Sequence, residues 1–529
     1  MACVVLTTVL HRTQRFVFLW LLPAAMVGLA TATAVSQESR PNVLFIAVDD
    51  LKPAIGAFGD PVARTPNLDR LAQRGTVFLN AHCQQAVCAP SRVSLLLGLR
   101  PDTTRVWDLK TEFRRSLPDA VTLPERFKRA GYQVVGMGKV FDARSVDGRG
   151  MDLRSWTEAF VHVTSPADAT FSFRNPAVVG QVDRASADPR FPAQGRRPQI
   201  DFAFPEGRPP TDRAGVADDA YHDGAMTEAA CARLEGFAGS GQAFFLAVGF
   251  KKPHLPFNAP ERYWRMYDEN ALPLAGYQGP PRNAPSFASQ PGWELRANYR
   301  IPKRGRLPEP LQRELIHGYY ACVSYVDAQV GKLLATLEEL GLAQNTIVVL
   351  WGDHGWHLGD HAIWCKHTNY EQATRSPLLI VVPEGVPGAY AHGGRSLSPV
   401  ELLDVYPTLL DLAGLEPLGD LHGVSLRAIL EDPAASVKPV AVSQFPRDAE
   451  GRPVMGYAYR SDRYRLVQWR TRDAQGDGQR GGAVVHVELY DYQADPLETR
   501  SVADAAEYAG VRAAMEAHAE AMSHTHETR

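Results

Sequence analysis

Short apolar runs of strand length alternate with helical patterns along most of this chain, and this alternation limits the possible folds more than any other feature. The first run, Asn42–Val48, is almost continuously apolar, which is typical of a strand buried on both faces of a parallel sheet. Similar runs at 132–136, 243–248, 346–350 and 377–382 lie next to segments with helical periodicity. The pattern predicts a doubly wound α/β fold around a mostly parallel sheet.

Two long stretches interrupt the alternation. Residues 142–223 and 273–308 are rich in Pro, Gly, Asp and Arg and have no sustained period, which predicts long surface loops over a site. After about residue 438, short alternating runs followed by a helical pattern predict a small antiparallel sheet with a helix. We therefore expect a main α/β domain over 35–437 and a C-terminal subdomain over 438–529.

The N-terminus has the features of a secretory signal. Arg12 and Arg15 precede an uncharged apolar run, and the small residues of 30–34 follow it. We expect a signal peptide over 1–34 that is cleaved after Ala34, so that the mature chain has no stable membrane span. The protein would then be exported, either periplasmic or secreted, or held in a lysosome-like compartment in a eukaryote. An uncleaved anchor helix in the same segment is the alternative.

Charge and composition restrict the classes of partner. The chain has 56 Lys and Arg against 59 Asp and Glu, a net charge of −3, so no global positive field would attract nucleic acid and none is expected as a partner. With 45% hydrophobic and 22% charged residues, the composition is that of a folded globular protein rather than a disordered one. Any anionic ligand must therefore be bound by a local group of basic side chains.

Cysteine usage points to one position. Six cysteines lie at 3, 83, 88, 231, 322 and 365, and the five that remain after signal removal cannot all pair internally. Cys88 begins the segment Cys88-Ala89-Pro90-Ser91-Arg92, with the pattern C-x-P-S-R, ahead of an apolar stretch that ends at Leu97. A small buried thiol before a helix, with Pro in the first turn, is the purely structural interpretation.

The C-x-P-S-R segment resembles the signature of the type I sulfatases of the alkaline phosphatase superfamily, in which this cysteine is oxidised to formylglycine. The likeness extends from about residue 41 to the C-terminal sheet and is closest to the iduronate-2-sulfatase branch. Its segments occur here in the same order: QQAVCAPSR, RPDTTR, GKVF, AVGFKKPHLPF, GDHGWHLGDH and LYDYQADPLETR. The resemblance implies an alkaline-phosphatase-like fold, a sulfuric ester hydrolase, and a formylglycine-generating enzyme as the maturation partner that converts Cys88 to 3-oxoalanine.

The chemistry of sulfate ester cleavage is consistent with such a residue. The hydrated aldehyde offers one oxygen to attack sulfur, and deprotonation of its second hydroxyl later expels sulfate and restores the aldehyde. Water then need not attack a crowded anionic sulfur. A helix that starts near Pro90 would also direct its N-terminal dipole toward the same anion.

Acidic residues follow two of the predicted strands. Asp49, Asp50 and Asp353 each come directly after an apolar run, so their carboxylates are expected to meet at the carboxyl edge of one sheet. By resemblance, these three residues and His354 hold one divalent cation beside Cys88, and the hard oxygen donors favour Ca²⁺ over Zn²⁺, with Mg²⁺ less favoured. For Asp49 and Asp50 alone, a turn or a helix cap is the alternative.

Basic residues complete the expected site by resemblance. Arg92 would brace the formylglycine and the metal carboxylates, and Lys139, His254 and Lys366 occupy positions that contact sulfate in the family. His254 is the candidate general acid for the leaving oxygen, because its ordinary pKa lies near neutrality. Each basic residue taken singly could instead be a solvated or structural group.

One position departs from the family pattern. The family usually has a histidine shortly after the lysine of the GK pair, three residues on in its closest branch, where this chain has Asp142. The carboxylate could replace the histidine as a base, it could face away from the site, or the enzyme could turn over more slowly. The sequence leaves these three outcomes open.

Further residues near the motifs are candidates for saccharide contacts. Trp356, His357, His361 and Trp364 could line a sugar pocket or pack beneath it. Some of the basic residues that follow the cysteine segment could bind a polyanionic sugar, although a solvated face is the usual position for such residues; they are Arg100, Arg105, Lys110, Arg114 and Arg115.

These expectations combine into one functional hypothesis. We expect an exported, Ca²⁺-dependent sulfatase that acts on a sulfated acidic saccharide, with an iduronate-2-sulfate-like residue as the leading substrate, in the degradation of a glycosaminoglycan or another sulfated polysaccharide. A phosphonate or phosphate ester hydrolase of the same superfamily is the alternative enzyme. A binding protein for sulfated carbohydrate that has lost turnover, as the change at Asp142 suggests, is the alternative outside enzymes.

Overall fold

The computed structural model describes residues 40–148, 151–290, 292–472 and 482–524. The predicted signal peptide lies outside the described residues. Within them, every helix is either too short or too polar to span a bilayer. The five cysteines among the described residues are all unpaired, so this part of the chain contains no disulfide bond.

A seven-stranded sheet forms the centre of the molecule. In chain order its strands are Asn42–Val48 (β1), Thr76–Phe78 (β2), Gln133–Gly138 (β3), Phe244–Phe250 (β4), Thr346–Gly352 (β5), Leu378–Val381 (β6) and Gly394–Ser396 (β7). Their order in the sheet is β7-β2-β6-β5-β1-β4-β3. Strand β1 pairs in parallel with both β4 and β5, and β3 extends this parallel block beyond β4. Strand β6 runs antiparallel to β5 and β2, so the sheet is mixed at that side.

Two cores cover the two faces of this sheet. Leu44, Ile46 and Val48 belong to one apolar cluster, and the alternate residues Val43 and Phe45 belong to the other. Because successive strand side chains point to opposite faces, β1 is buried on both sides, as its continuous apolar run predicted. The doubly wound, mostly parallel α/β fold predicted from the sequence is confirmed.

Helices pack on both faces, and the longest, Glu309–Glu339, contacts helix His222–Ser240 and the short strand Phe257–Pro260. The α-helices have the following bounds: Pro66–Ala72, Cys88–Leu97, Pro101–Thr104, Phe113–Ser116, Leu123–Arg129, Pro176–Ser186, Arg196–Ala203, His222–Ser240, Glu261–Trp264, Trp293–Asn298, Glu309–Glu339, Glu371–Thr374, Val405–Leu412, Arg427–Glu431 and Ala509–His524. Three two-stranded pairs complete the main body: Ala81–His82 with Val400–Glu401, Thr211–Ala214 with Phe257–Pro260, and His357–Leu358 with Trp364–Cys365.

The segment 142–223 is more regular than predicted. It contains helices Pro176–Ser186 and Arg196–Ala203, which pack around a small apolar cluster that includes Phe173 and Phe204. The first helix has Val178, Val182 and Ala185 at helical spacing, but this pattern is short and lies among Pro, Gly and charged residues, so it does not form a sustained period along the stretch. The prediction of structureless loops was wrong for these two helices, and also for helix Trp293–Asn298 in the second stretch.

A separate antiparallel sheet follows in the last part of the chain. It consists of Ala441–Ala449 (β8), Arg452–Arg460 (β9), Tyr464–Thr471 (β10) and Val484–Asp491 (β11), with helix Ala509–His524 against its middle strands. Three of these strands were expected, and β9 was not. The predicted antiparallel sheet is confirmed, whereas the boundary at residue 438 stays a prediction.

Candidate active site

Three carboxylates meet at the carboxyl edge of the central sheet. Asp49 and Asp50 follow β1, and Asp353 follows β5, which is the neighbouring parallel strand. The backbone N–H of Asp50 donates a hydrogen bond of 3.0 Å to Asp353 Oδ1, which joins the two strand ends. All three side chains are buried. The strand-end position of each residue therefore brings the carboxylates together, as the sequence predicted.

The cysteine segment begins a buried helix above this edge. Helix Cys88–Leu97 starts at Cys88 itself, two residues earlier than expected, after the extended residue Val87. The hydroxyl of Ser91 donates to the carbonyl of Asp353, so the first turn is bound directly to the carboxylate cluster. The helix ends at Gly98, whose positive φ of 66° suits a residue without a side chain.

Arg92 crosses beneath the cysteine and joins two carboxylates. Its Nε donates to Asp353 Oδ2 at 2.9 Å, and its Nη2 donates to Asp49 Oδ1 at 3.1 Å. Further bonds run from Nη1 to the carbonyls of Lys139 and Val140. The side chain is 0% exposed and each of its three nitrogens donates at least one hydrogen bond, so Arg92 holds the two strand ends and the next loop in one arrangement.

The thiol of Cys88 lies among charged groups. Its Sγ is 3.5 Å from His354 Nε2, 4.0 Å from Asp50 Oδ1, and accepts a hydrogen bond of 3.4 Å from Lys366 Nζ. Burial, together with the charge of Asp49, raises the pKa of Cys88 well above its ordinary value despite the nearby lysines. The unmodified side chain is therefore held as a thiol.

Lys139 reaches the site from the end of β3. Gly138 has a positive φ of 72°, and a Cβ there would lie 2.2 Å from the carbonyl oxygen of Gly249 on β4. The absence of a side chain lets the two strand ends approach, and Lys139 Nζ then donates to Asp49 Oδ2 at 2.6 Å. Burial tends to raise the pKa of Asp49, but Lys139, His254 and Arg92 outweigh it and lower that pKa well below the usual range.

His254 and Lys366 are joined by a residue that sequence reasoning did not identify. Glu294 Oε1 lies 3.1 Å from His254 Nε2, and Glu294 Oε2 lies 3.3 Å from Lys366 Nζ. Lys366 Nζ also donates to Asp50 Oδ1 at 2.5 Å. Burial would lower the pKa of His254, but Asp50 and Glu294 raise it overall, which favours the protonated ring. No sequence signal marked Glu294, because it lies in the irregular stretch 273–308.

The donor set fits a divalent cation. Asp50, Cys88 and His354 offer ligand atoms within 4.8 Å of one another, and so do Asp49, Cys88 and Asp353. Asp50 Oδ2 is buried and has no hydrogen-bond partner among the described residues, which leaves a carboxylate oxygen available to a ligand. Three carboxylates with one imidazole form a predominantly hard donor set, which suits Ca²⁺ or Mg²⁺ better than Zn²⁺.

The structure shows which groups Asp142 contacts, and these contacts bear on its capacity to act as a base. Arg144 donates to both carboxylate oxygens of Asp142, from Nε and Nη2, each at 2.8 Å, and Lys139 Nζ lies 3.8 Å away. Burial opposes ionisation, but the hydrogen bonds and charge of Arg144, with Lys139, lower the pKa of Asp142 far below its ordinary value. Asp142 is thus a carboxylate neutralised by Arg144 at the wall of the cleft and is only a weak base.

The other candidate saccharide contacts mostly lie elsewhere. Arg100 is buried against Glu401, with Nη1 to Oε1 at 2.5 Å, and Arg114 pairs with Asp152 and Glu125. The residues Trp356, His357, His361 and Trp364 are all buried and do not line the cleft, so they pack beneath the site. Trp356 supports Lys366, whose Nζ lies 5.1 Å from the indole centroid.

A cleft of about 1150 Å³ opens onto Cys88. Its walls include Lys139, His254 and Lys366, so the predicted sulfate-binding groups face the same space as the cysteine. The indole of Trp293 is 53% exposed at the same cleft. A saccharide-sized ligand fits this volume, since pockets for organic ligands commonly span about 300–1000 Å³. The structure brings the residues predicted for catalysis and metal binding into one contact network.

Comparison with known proteins identifies the class to which this fold and site belong. The family model described as Sulfatase matches residues 41–415, and a second, N-sulphoglucosamine sulphohydrolase, C-terminal, matches residues 359–525. The chain belongs to the sulfatase family, and it is a sulfuric ester hydrolase. The resemblance noted from the sequence motifs is therefore confirmed.

Individual relatives show which members of the family this chain resembles. The chain is 34% identical to iduronate 2-sulfatase of Mus musculus, over 91% of this chain and 94% of that protein, and 34% identical to iduronate 2-sulfatase of Homo sapiens, over 92% and 96%. A phosphonate monoester hydrolase from Silicibacter pomeroyi superposes with a TM-score of 0.68 at 23% identity, over 92% of this chain and 96% of that one. The last likeness shows the shared fold alone.

Proposed function

We propose that this sulfatase is an exported, Ca²⁺-dependent, formylglycine enzyme that removes sulfate from an iduronate-2-sulfate-like residue of an acidic saccharide. The observation that carries the proposal is the placement of Cys88 at the first turn of a buried helix, within 4.0 Å of Asp50, His354 and Lys366. A thiol with only a packing role would not require a carboxylate, an imidazole and an ammonium around it.

The charges of the cluster suit an anionic substrate. Asp49, Asp50 and Asp353 are in contact with three cations, Arg92, Lys139 and Lys366. The protein groups are therefore balanced before a metal ion binds. A bound dication would make the cluster positive, which favours the negative charge of a sulfate ester and of its transition state.

Calcium would be held by Asp49, Asp50, Asp353 and His354, beside residue 88. When bound, it would polarise the nucleophilic oxygen and neutralise charge on the sulfate group. The carboxylate oxygen of Asp50 that accepts no hydrogen bond supports this assignment. Arg92 would keep Asp49 and Asp353 in place, because it binds both of them and is fully buried.

The remaining residues have separate tasks in the proposed reaction. Formylglycine at position 88, in its hydrated form, would supply the oxygen that attacks sulfur. Lys139 and Lys366 would bind the sulfate oxygens, and His254 would donate the proton to the leaving alcohol oxygen. His254 is oriented for this role because its Nδ1–H donates to the carbonyl of Leu255 at 2.6 Å, which leaves Nε2 facing Glu294 and the cleft.

Substrate class and location rest on the relatives and on the N-terminal pattern. The iduronate 2-sulfatases match over nearly the whole chain, and the cleft is large enough for a saccharide. The basic, apolar and small-residue order of 1–34 supports export, where a formylglycine-generating enzyme of the export route would modify Cys88. The proposed partners are therefore this maturation enzyme and the sulfated saccharide substrate.

The test of the nucleophile uses two cysteines in one peptide. We expect mass spectrometry across residues 75–92 of protein from its native export route to find an aldehyde at Cys88 and an alkylatable thiol at Cys83.

Cys88→Ala should abolish sulfate release and keep the folded circular dichroism spectrum, because alanine fits the first turn of a helix. Cys83→Ala, at an equally buried cysteine, is the matched control. An unmodified Cys88 in fully active protein would refute the mechanism.

The metal assignment is tested by chelation with two readouts. EGTA should lower both the sulfatase activity and the thermal unfolding temperature, because a ligand that binds only the folded state stabilises it. Ca²⁺ should restore both, and Asp353→Asn should weaken the thermal response to Ca²⁺. If metal-stripped protein shows the same activity and unfolding temperature with and without Ca²⁺, the site is not a calcium site.

A further inference from the structure

Two basic side chains that form no ion pair within the described part of the chain lie on the wall of the cleft. Lys251 and Arg208 both line the cleft that contains Cys88. Among the described residues, Lys251 Nζ has no hydrogen-bond or ion-pair partner. Within the same part of the chain, the polar and ring contacts of the Arg208 guanidinium are with Tyr299, whose hydroxyl is 3.3 Å from Nη2 and whose ring centroid is 4.7 Å from Cζ.

A third cation increases the positive charge of this wall. Arg196 lies close enough to act electrostatically on both Lys251 and Arg208, and its guanidinium stacks over Phe171 at 5.6 Å. Burial lowers the pKa of Lys251 overall, although the charges of Asp223 and Asp168 act in the opposite direction. Cations held near one another, partly removed from water, are stabilised when an anion binds between them.

The nearby carboxylates are bound to other groups. Asp168 Oδ2 accepts hydrogen bonds from the backbone N–H and the hydroxyl of Ser165, at 2.7 and 3.0 Å. Asp223 accepts the backbone N–H groups of Lys251 and Lys252 and lies 3.4 Å from His222 Nδ1. Both carboxylates act on the charge of Lys251, but among the described residues neither forms an ion pair with Lys251 Nζ or with the Arg208 guanidinium.

We propose that Lys251 and Arg208 form a second anion subsite for an acidic substituent of the saccharide whose sulfate ester faces Cys88. This inference rests on the proposed function and assigns the residues that would bind the acidic group of its substrate, a carboxylate or a second sulfate beside the ester that is cleaved. A bidentate guanidinium and an ammonium are suited to either group.

The subsite is joined rigidly to the reaction centre. Asp223 fixes the backbone N–H of Lys251 at 3.0 and 3.1 Å, three residues before His254. A smaller cavity of about 190 Å³ is lined by Lys251 together with Lys139 and His254. An acidic group bound at Lys251 would thus set the position of the sugar relative to His254 and Lys139.

The experiment measures binding in a background without turnover. In the Cys88→Ala protein, the dissociation constant is measured for a 2-O-sulfated uronate disaccharide from heparin, with Lys251→Met and Arg208→Met as test variants. Each should weaken binding about tenfold, the order expected for one charge-assisted contact at a partly exposed site. Arg265→Met, at an exposed arginine paired with Glu261 away from the cleft, is the matched control and should bind like the parent.

Two modified ligands identify the acidic group. If the carboxylate of the uronate occupies the subsite, Lys251→Met no longer weakens binding of the carboxyl-reduced disaccharide. If a second sulfate group occupies the subsite, Lys251→Met no longer weakens binding of the N-acetylated disaccharide, which lacks the N-sulfate. Equal binding of the disaccharide by the parent and both variants, or no binding by the folded parent, overturns the subsite. Hydrolysis of 4-nitrophenyl sulfate by the chain with Cys88 intact tests the proposed function separately, and circular dichroism checks the fold of each variant.

Discussion

Glu294 couples two residues that the sequence assigned to the site independently. It contacts His254 Nε2 and Lys366 Nζ through different carboxylate oxygens. Burial tends to raise the pKa of Glu294, but these two cations outweigh it and lower that pKa well below the ordinary value. We regard it as a positioning residue, because it acts on the proposed general acid and on a proposed sulfate ligand. A carboxylate that orients an imidazole is a common second partner in catalytic sites.

Glu294→Gln is expected to lower kcat about 10- to 100-fold with a small change in KM. The amide loses the charge that keeps His254 protonated and Lys366 aligned, so the proton donor is less often in its reactive form. Glu269→Gln is the matched control, because Glu269 Oε2 also lies 3.1 Å from a histidine nitrogen, that of His317, away from the cleft. Equal kcat values for the two variants would contradict the positioning role.

Comparison with the family motif identified Asp142 as a departure but did not predict which residue it contacts. The sequence identified the missing histidine, but it did not assign the carboxylate a partner. Arg144, only two residues later, binds both oxygens of Asp142 within a turn that has no regular period. The partner could not be predicted, because an arginine side chain can reach many positions and the loop geometry decides among them.

At the scale of elements, buried strands were the predictable part. The apolar runs gave β1, β3, β4, β5 and β6 to within a few residues, and the parallel block explains why Asp49, Asp50 and Asp353 could be expected at one edge. Strand β9, Arg452–Arg460, was missed because Pro453 and Gly456 interrupt its pattern. Gly456 is required there by packing, since a Cβ would lie 2.7 Å from the Trp469 ring.

Residues that reach the site from segments without a periodic pattern could not be predicted from the sequence. Helix Trp293–Asn298 has six residues, too few for a periodic pattern, yet it contributes Glu294. Arg196 and Arg208 lie in the other such stretch, 142–223. Strand ends could thus be assigned from sequence, whereas residues that reach the site from the covering segments required the tertiary structure.

At the scale of the whole molecule, the C-terminal sheet supports the segment that leads into Cys88. The backbone N–H of Gln444 in β8 donates to the carbonyl of Gln84 at 2.7 Å, and the Ser443 hydroxyl donates to the carbonyl of Cys83 at 2.5 Å. These bonds join β8 to residues four and five positions before the cysteine. The C-terminal sheet therefore contributes to the shape of the site, although it does not supply the residues assigned to chemistry.

Lys438 lies at the predicted boundary and links the two parts through buried charges. Its Nζ is 2.8 Å from Glu401 Oε2 and 2.7 Å from Asp404 Oδ1, and Glu401 also binds Arg100. Burial would raise the pKa of Glu401, but Arg100 and Lys438 lower it overall, so the carboxylate is ionised in the folded protein. Removal of the ammonium would leave Asp404 buried without a cation.

Lys438→Met is expected to reduce the free energy of unfolding by about 3 kcal/mol, the usual order for breaking a buried ion pair. Arg427→Met removes a cation that pairs with Asp411 and Glu431 at the surface, and should cost less than about 1 kcal/mol. Urea unfolding followed by circular dichroism and by tryptophan fluorescence measures both variants. If the junction unites the two parts, the two probes give one coincident transition that moves to lower urea in Lys438→Met. Equal shifts in the two variants, or separate transitions in the parent protein, would show that the C-terminal sheet folds independently of the central one.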